Sequence, residues 1–213
     1  MLSVKRFVTN MFAENTYVVS DSLTHEAAVI DAGMLFDDEW QEFDAYIADK
    51  RLKVTHLLNT HLHIDHLFGV AEAVRRYGVG LSASSADSFL SDRVEQQAAM
   101  FGIRRKMEQI KIEHPLADGD EIRLGNSTLK VIATPGHSLG GICFYSADDG
   151  LLFSGDSLFQ TGIGRTDLPG GDYATLIHSI TDRLLTLPDD TKVLPGHGPS
   201  TTIAQERQYN PFL

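Results

Sequence analysis

Cysteine is nearly absent. Cys143 stands alone in 213 residues. One thiol cannot close an intrachain disulfide, and a reducing compartment is the natural setting for such a chain. Long apolar runs are missing too. Nowhere do eighteen apolar residues follow one another, so no membrane span is expected. The opening MLSVKRFVTNMFAENTYVVS has neither a long apolar stretch nor a small-residue cleavage pattern, and a cytoplasmic protein is expected. Positive charge is scarce. Eighteen Lys and Arg face twenty-nine Asp and Glu, a formal net charge of −11. Binders of a nucleic-acid backbone usually carry a basic face, so nucleic acid is disfavoured as substrate or partner. Repeats, low-complexity tracts and linkers are also lacking, which points to a single domain spanning residues 1–213.

What is present is an ordinary globular composition, 42% hydrophobic and 22% charged, with length enough for a sizeable core. Residues 2–8 and 16–20 read as strands around a turn at Ala13-Glu14-Asn15. AAVIDAG, 27–33, is a short apolar strand ending in an acid and a glycine. Residues 37–49 read as a helix with Asp37 as its N-cap. VTHLLN, 54–59, is a strand, and 65–77 has helical spacing up to Gly78. A longer helix is expected from about Ser85 to Phe101. Residues 121–134 read as two strands joined at Gly125-Asn126, and 141–156 as a hairpin turning at Asp148-Asp149-Gly150. A helix over 172–187 and the strand TKVLPG complete the series. The pattern by itself supports α/β or α+β.

Four of these strands are followed by side chains able to bind metal. His61, His63, Asp65 and His66 follow VTHLLN. His137 follows LKVIA, Asp156 follows LLFS, and His197 follows KVL. Functional groups often sit on loops at strand ends, held by a rigid scaffold. In extended chain, alternate residues point the same way, so His61 and His63 can aim at one ion while Leu62 turns aside. Asp65 and His66 open the next helix and can aim at a neighbouring ion. Three adjacent histidines would repel one another when protonated, and nothing local rewards them as surface groups. Imidazole and carboxylate without thiolate suit Zn²⁺ first, with Fe²⁺ or Mn²⁺ as alternatives. The remaining histidines, His25, His56, His114 and His178, read as structural or exposed. Cys143, within ICFY, reads as a small buried hydrophobe.

THLHIDH, 60–66, resembles the THxHxDH signature of the metallo-β-lactamase superfamily, and His137, Asp156 and His197 are similar to its remaining ligand motifs. The resemblance covers residues 2–200. It implies an α+β fold, an αββα sandwich of two mixed β-sheets packed face to face with helices outside. It also implies two divalent metal ions: His61, His63 and His137 on the first, Asp65, His66 and His197 on the second, and Asp156 bridging. Two metals about 3.5–4 Å apart can share a water and lower its pKa, giving a nucleophile for a carbonyl without a serine or cysteine. Asp65 is the expected catalytic group, orienting that water and accepting its proton. Asp31 is a candidate acceptor for the outer N–H of a ligand histidine.

An aspartate at position 156, where a major class of true β-lactamases has cysteine, is similar to the glyoxalase II branch. So are GDSLFQTGIGRTDLPGGD, 155–172, and the ending LPGHGPST…NPFL. The resemblance implies hydrolysis of a small-molecule thioester such as S-lactoylglutathione. Glyoxalase II enzymes carry a C-terminal helical domain that contacts glutathione, whereas here sixteen residues follow His197; no such domain is expected. Arg104, Arg105 and Lys106 are candidates to replace its substrate contacts, the plainer reading being a solvated helix end. Arg165 reads as a structural ion pair before a substrate contact. The rival activities are a persulfide dioxygenase with one iron at His61, His137 and Asp156, and a lactonase or β-lactamase using the same metal pair. Oligomeric state has no signal.

Overall fold

Alternation within the strands builds the architecture. The structure, a computed structural model, describes residues 1–104 and 106–213. β1 (Leu2–Thr9) and β2 (Glu14–Asp21) pair antiparallel. In β2, Tyr17 and Val19 point to one side and Val18 to the other, and all three are buried. β3 (Glu26–Ile30) does the same, with Ala28 and Ile30 opposite Ala27 and Val29. Strands covered on both faces read as continuous apolar runs, which is why AAVI looks as it does. β4 (Lys53–Leu58), β5 (Leu81–Ala83) and β6 (Ile112–Pro115) follow, each parallel to its neighbour. The first sheet therefore runs in chain order, β1 to β6, antiparallel then parallel.

The second sheet starts with the hairpin of β7 (Glu121–Leu124) and β8 (Ser127–Ala133). β9 (Ile142–Ser146) and β10 (Leu151–Gly155) form the next hairpin. A two-residue pair, β11 (Leu158–Phe159) and β12 (Gly162–Ile163), stands apart. β13 (Lys192–Pro195) then joins β10 in parallel, and β14 (Thr201–Thr202) closes the edge. The spatial order is β14-β13-β10-β9-β8-β7.

Between the sheets lie Tyr17, Ile30, Leu58, Leu129, Phe144 and Phe153. Helices α1 (Asp37–Asp49) and α2 (Val70–Tyr77) cover the first sheet, packing Phe43 and Ala73 into the same core as Leu57 and Val54. Two short helices, α3 (Ser88–Ser91) and α4 (Val94–Met100), extend that layer. On the second sheet, α5 (Tyr173–Ser179) and α6 (Ile203–Tyr209) bury Leu176 and Ile203 against Leu152 and Val193. The layers are helix, sheet, sheet, helix: an αββα sandwich. Among the described residues no helix is long and apolar enough to cross a membrane.

Several local expectations change. Phe36, not Asp37, is the cap of α1, and Asp37 is its first helical residue. Glu39 reaches back to accept from the Leu35 and Phe36 amides, which leaves no cap role for Asp37. Gly78 ends α2 at φ 65°, as its left-handed role requires. The expected helix over 85–101 is broken into a 3-10 turn, α3 and α4. The 3-10 turn ends at Asp87, whose carboxylate is bonded to distant loops, and the break between α3 and α4 falls at Asp92 and Arg93. The helix over 172–187 is capped by Asp172 and widens to π geometry over Ile180–Leu184. β5, β6, β14 and α6 had no clear pattern in sequence. The first two are short parallel strands held by their neighbours rather than by their own periodicity.

Candidate metal centre

β4, β8, β10 and β13 all end at one rim of the sandwich, and backbone hydrogen bonds join the two sheets there. The Ile142 amide donates to the Thr60 carbonyl at 2.9 Å, and the Asn15 amide to the Gly196 carbonyl at 2.7 Å. These bonds draw the loops after the four strands together. His61, His63, Asp65, His66, His137, Asp156 and His197 meet in one cluster. Asp31 sits beneath it.

Imidazole tautomers follow from what holds the outer nitrogens. Thr60 Oγ1 gives its proton to Asp31 Oδ2 at 2.7 Å, so at 3.1 Å it can only accept from His61 Nδ1. His137 Nδ1 donates to the Arg165 carbonyl at 2.7 Å, and His197 Nδ1 to the Phe12 carbonyl at 3.1 Å. In neutral rings so held, the Nε2 of His61, His137 and His197 carries a lone pair and faces inward. His66 Nδ1 faces Asp31 Oδ2 at 3.2 Å and Glu14 Oε1 at 3.8 Å. Asp31 lies at φ 54°, a left-handed turn that aspartate tolerates, and that turn aims its carboxylate back under the cluster. It also accepts from the Thr60 amide at 2.7 Å.

The inner atoms divide into two groups. His137 Nε2 lies 2.8 Å from His63 Nδ1 and 3.3 Å from His61 Nε2. Asp65 Oδ2 lies 3.0 Å from His197 Nε2 and 3.6 Å from His66 Nε2. Asp156 spans both: Oδ1 is 3.4 Å from His66 Nε2, and Oδ2 is 3.6 Å from His137 and His197 Nε2. Donors arranged tetrahedrally at 2.0–2.1 Å from one ion lie about 3.3–3.4 Å apart. The observed edges cluster around that value. Lone pairs also face one another here, and Asp156 Oδ1, His66 Nε2 and His63 Nε2 are buried without a hydrogen-bond partner. Buried polar atoms are normally satisfied. The donor chemistry, spacing and orphaned atoms fit two divalent cations.

Electrostatics agree with that fit. Burial, reinforced by neighbouring imidazoles, pushes His61 well down and His63 to about 3, which keeps both rings neutral and able to ligate. Burial also opposes charge on His66, but Asp65, Asp156 and Asp31 outweigh it and raise its pKa. Burial would raise Asp156, yet His66, His61 and His197 hold it well below the carboxylate range. Asp65 is lowered for the same reason, burial being overcome by His66 and His197. The cluster thus keeps anionic carboxylates beside the neutral His61 and His63, while the same carboxylates, against the cost of burial, favour a proton on His66 and His197.

Small residues make room for it. A Cβ on Gly196 would lie 2.3 Å from Asp156 Oδ1, and one on Gly164 2.9 Å from His137 Nδ1. A cavity of about 230 Å³ opens beside the cluster, lined by His63, Asp65, His137, Asp156 and His197 on one side.

Other expected positions fall differently. Arg165 is paired with Asp167 through two 2.7 Å bonds and also lines the cavity. Arg104 is exposed and does not line that cavity, and Lys106 lines another, beside Trp40 and Arg76. Arg105 lies outside the described residues. His25, His114 and His178 are exposed, and His56 is half-buried against Thr55. Cys143 is fully buried, its thiol pushed up to about 11 by that burial.

Sequence reading missed Glu14 and Asp87. Glu14 is fully buried, accepts from Thr9 and Thr16 hydroxyls at 2.7 and 2.8 Å, and is raised well above its ordinary pKa by burial. Asp87 accepts from the Leu62 amide, the Ser138 hydroxyl and the Gly140 amide at 3.2, 2.8 and 2.6 Å. The Asp87 partners lie 25 to 53 residues away, so no spacing could have marked it, and Glu14 is bonded to near neighbours while the histidine it faces, His66, lies far along the chain.

Comparisons with known proteins fall in the same place. The sequence profile described as "Metallo-beta-lactamase superfamily" matches residues 10–197. Hydroxyacylglutathione hydrolase GloC of Haemophilus influenzae is 35% identical over 213 residues, covering 100% of this chain and 98% of that protein. The crystal structure of BLEG-1 B3 metallo-beta-lactamase superposes with a TM-score of 0.89 at 33% identity, over 99% of both chains. TTHA1623 in a di-iron-bound form gives 0.85 at 34% identity, covering 98% of this chain and 100% of that one. A profile that ends on His197, together with a shared sandwich and a donor cluster at its rim, places the chain in the metallo-β-lactamase superfamily.

Proposed function

We propose that the protein is a binuclear metal-dependent hydrolase of small-molecule thioesters, with S-lactoylglutathione as the reference substrate. The observation that carries the reading is the pair of donor sets sharing Asp156 at the floor of an open cavity. His61, His63 and His137 would hold one ion, and Asp65, His66 and His197 the other. Zinc suits the donors best, and iron or manganese is accommodated; the di-iron relative supports iron as a real alternative. Such ions lower the pKa of a shared water and polarise an acyl carbonyl. Asp65, which lines the cavity with Oδ2 3.0 Å from His197 Nε2, would orient that water and take its proton. The proton then passes to the departing thiolate or to solvent, so thioester and water give acid and thiol. Thr60, the Arg165 carbonyl and the Phe12 carbonyl fix the rings of His61, His137 and His197, and Asp31 faces that of His66. The name of the Haemophilus relative and the aspartate at 156 favour a thioester over a lactam.

Metal analysis of the purified protein, paired with thiol release from S-lactoylglutathione under anaerobic conditions, tests the reading. Two metals per chain and oxygen-independent hydrolysis are expected. One iron per chain with oxygen consumption on glutathione persulfide would overturn it in favour of a dioxygenase.

A further inference from the structure

The cavity beside the donor cluster has a second wall, and it is apolar. Phe12, Leu90, Met100, Phe101, Leu168 and Pro169 line it. A single water needs about 10–15 Å³ of comparable space, so 230 Å³ accepts a group of many atoms. The polar residues on this wall are already engaged. Gln97 Nε2 donates to the Leu62 and Leu90 carbonyls at 3.1 and 2.9 Å. Arg165, the one Lys or Arg lining the cavity among the described residues, is neutralised by Asp167.

Met100 and Phe101, at the end of α4, are 67% and 42% exposed. Phe101 packs edge-on against Phe12 with ring centroids 5.1 Å apart, and Phe12 stacks on Phe68 at 6.3 Å. Large apolar groups left in water at the mouth of a concave site mark a place where ligand covers them. Glutathione carries two carboxylates and one ammonium at neutral pH. To read it, this wall would need unpaired cations, and the chain as a whole carries −11.

Resting on the hydrolase reading above, we propose that the preferred substrate is a thioester bearing an apolar chain or ring near the scissile carbonyl, seated between Phe12 and the end of α4, rather than a glutathione conjugate. Each methylene buried there is worth about a fourfold gain in kcat/KM.

The experiment compares S-hexanoyl-N-acetylcysteamine, S-acetyl-N-acetylcysteamine and S-lactoylglutathione on the metal-loaded protein. The hexanoyl thioester should exceed the acetyl one by at least about tenfold in kcat/KM, chiefly through KM, and should exceed S-lactoylglutathione. Phe101→Ser, a change at an exposed position, should collapse the hexanoyl-to-acetyl ratio toward one. Calorimetry with S-hexyl-N-acetylcysteamine, a thioether that cannot be hydrolysed, reads the slot directly, and its binding should weaken in the same variant. Preference for S-lactoylglutathione, or a ratio indifferent to Phe101, would overturn the proposal. Thioester hydrolysis without chain-length preference defeats the slot and spares the hydrolase. Thioether binding that depends on Phe101, without hydrolysis of any thioester, defeats the hydrolase and spares the slot.

Discussion

Asp87→Ala tests whether one buried carboxylate holds the first three histidines in place. Asp87 is fully buried and accepts three hydrogen bonds. Leu62 stands between His61 and His63, while Ser138 follows His137, so this carboxylate ties together the two loops that carry them. Gly140 is part of the fit, since a Cβ there would meet Asp87 Oδ1 at 2.9 Å. Truncation leaves the Leu62 and Gly140 amides and the Ser138 hydroxyl without their acceptor, at about 1–3 kcal/mol for each buried donor. Part of that is returned, because burial raises the Asp87 pKa despite the hydrogen bonds, a sign that ionising it inside the fold is costly. A net loss of about 2–4 kcal/mol is expected for Asp87→Ala, and about 1–2 kcal/mol for Asp87→Asn, which keeps one acceptor. Against a total stability of about 5–15 kcal/mol, both are measurable in urea unfolding. Loosened loops should also weaken one of two bound metals by about 10–100-fold, read by competition with a chelator. A stability within about 0.5 kcal/mol of wild type, with metal affinity unchanged, would refute the staple.

His61→Ala and Asp156→Asn should each abolish thioester hydrolysis while circular dichroism stays native. Metal binding should raise the wild-type Tm by mass action, and both variants should lose much of that rise. Gly196→Ala should displace Asp156, because the new methyl would lie 2.3 Å from Oδ1; overpacking of this kind costs about 1–3 kcal/mol. Metal stoichiometry should fall below two in that variant, and full stoichiometry would contradict the shared-carboxylate geometry. Asp21 supplies a pH test. The Thr24 and Leu23 amides, joined by the Asn126 amide, hold its pKa down to about 2. A folded pKa below the unfolded value of about 3.9 contributes stability at higher pH, lost as pH falls from about 4 to about 2. The gap in urea midpoint between wild type and Asp21→Asn should therefore be open at pH 6 and shrink through that window.

Many of the strands were legible because those covered on both faces announce themselves as apolar runs, whereas the layer order came from the family resemblance and not from the pattern. AAVI, VTHLL and KVLP each sit inside the sandwich. The turns at Gly125 and Gly150 were legible because both take left-handed φ, 60° and 61°, which glycine accepts without a Cβ penalty. Residues 85–101 were misread because helical spacing says nothing of a competing partner. The Asp87 carboxylate bonds loops about fifty residues away, the stretch opens as a 3-10 turn there, and a further break falls at Asp92 and Arg93. Asp37 failed as a cap for a local reason, since Glu39 already serves the amides it would have served.

The sequence by itself determined which side chains are chemically able to grip metal and which strand each one follows, because spacing of two in extended chain is a local fact, although Asp65 and His66 lie in a 3-10 turn and the helix begins only at Val70. Only the tertiary structure decided that all seven side chains meet at one rim, that Asp156 spans both groups, and that Glu14, Asp31 and Asp87 support them from below. It also decided the character of the cavity, apolar along the wall of Phe12 and Phe101 with its one described cation already paired. Those outcomes depend on contacts between segments tens to more than a hundred residues apart, and no periodicity encodes a distance of that kind.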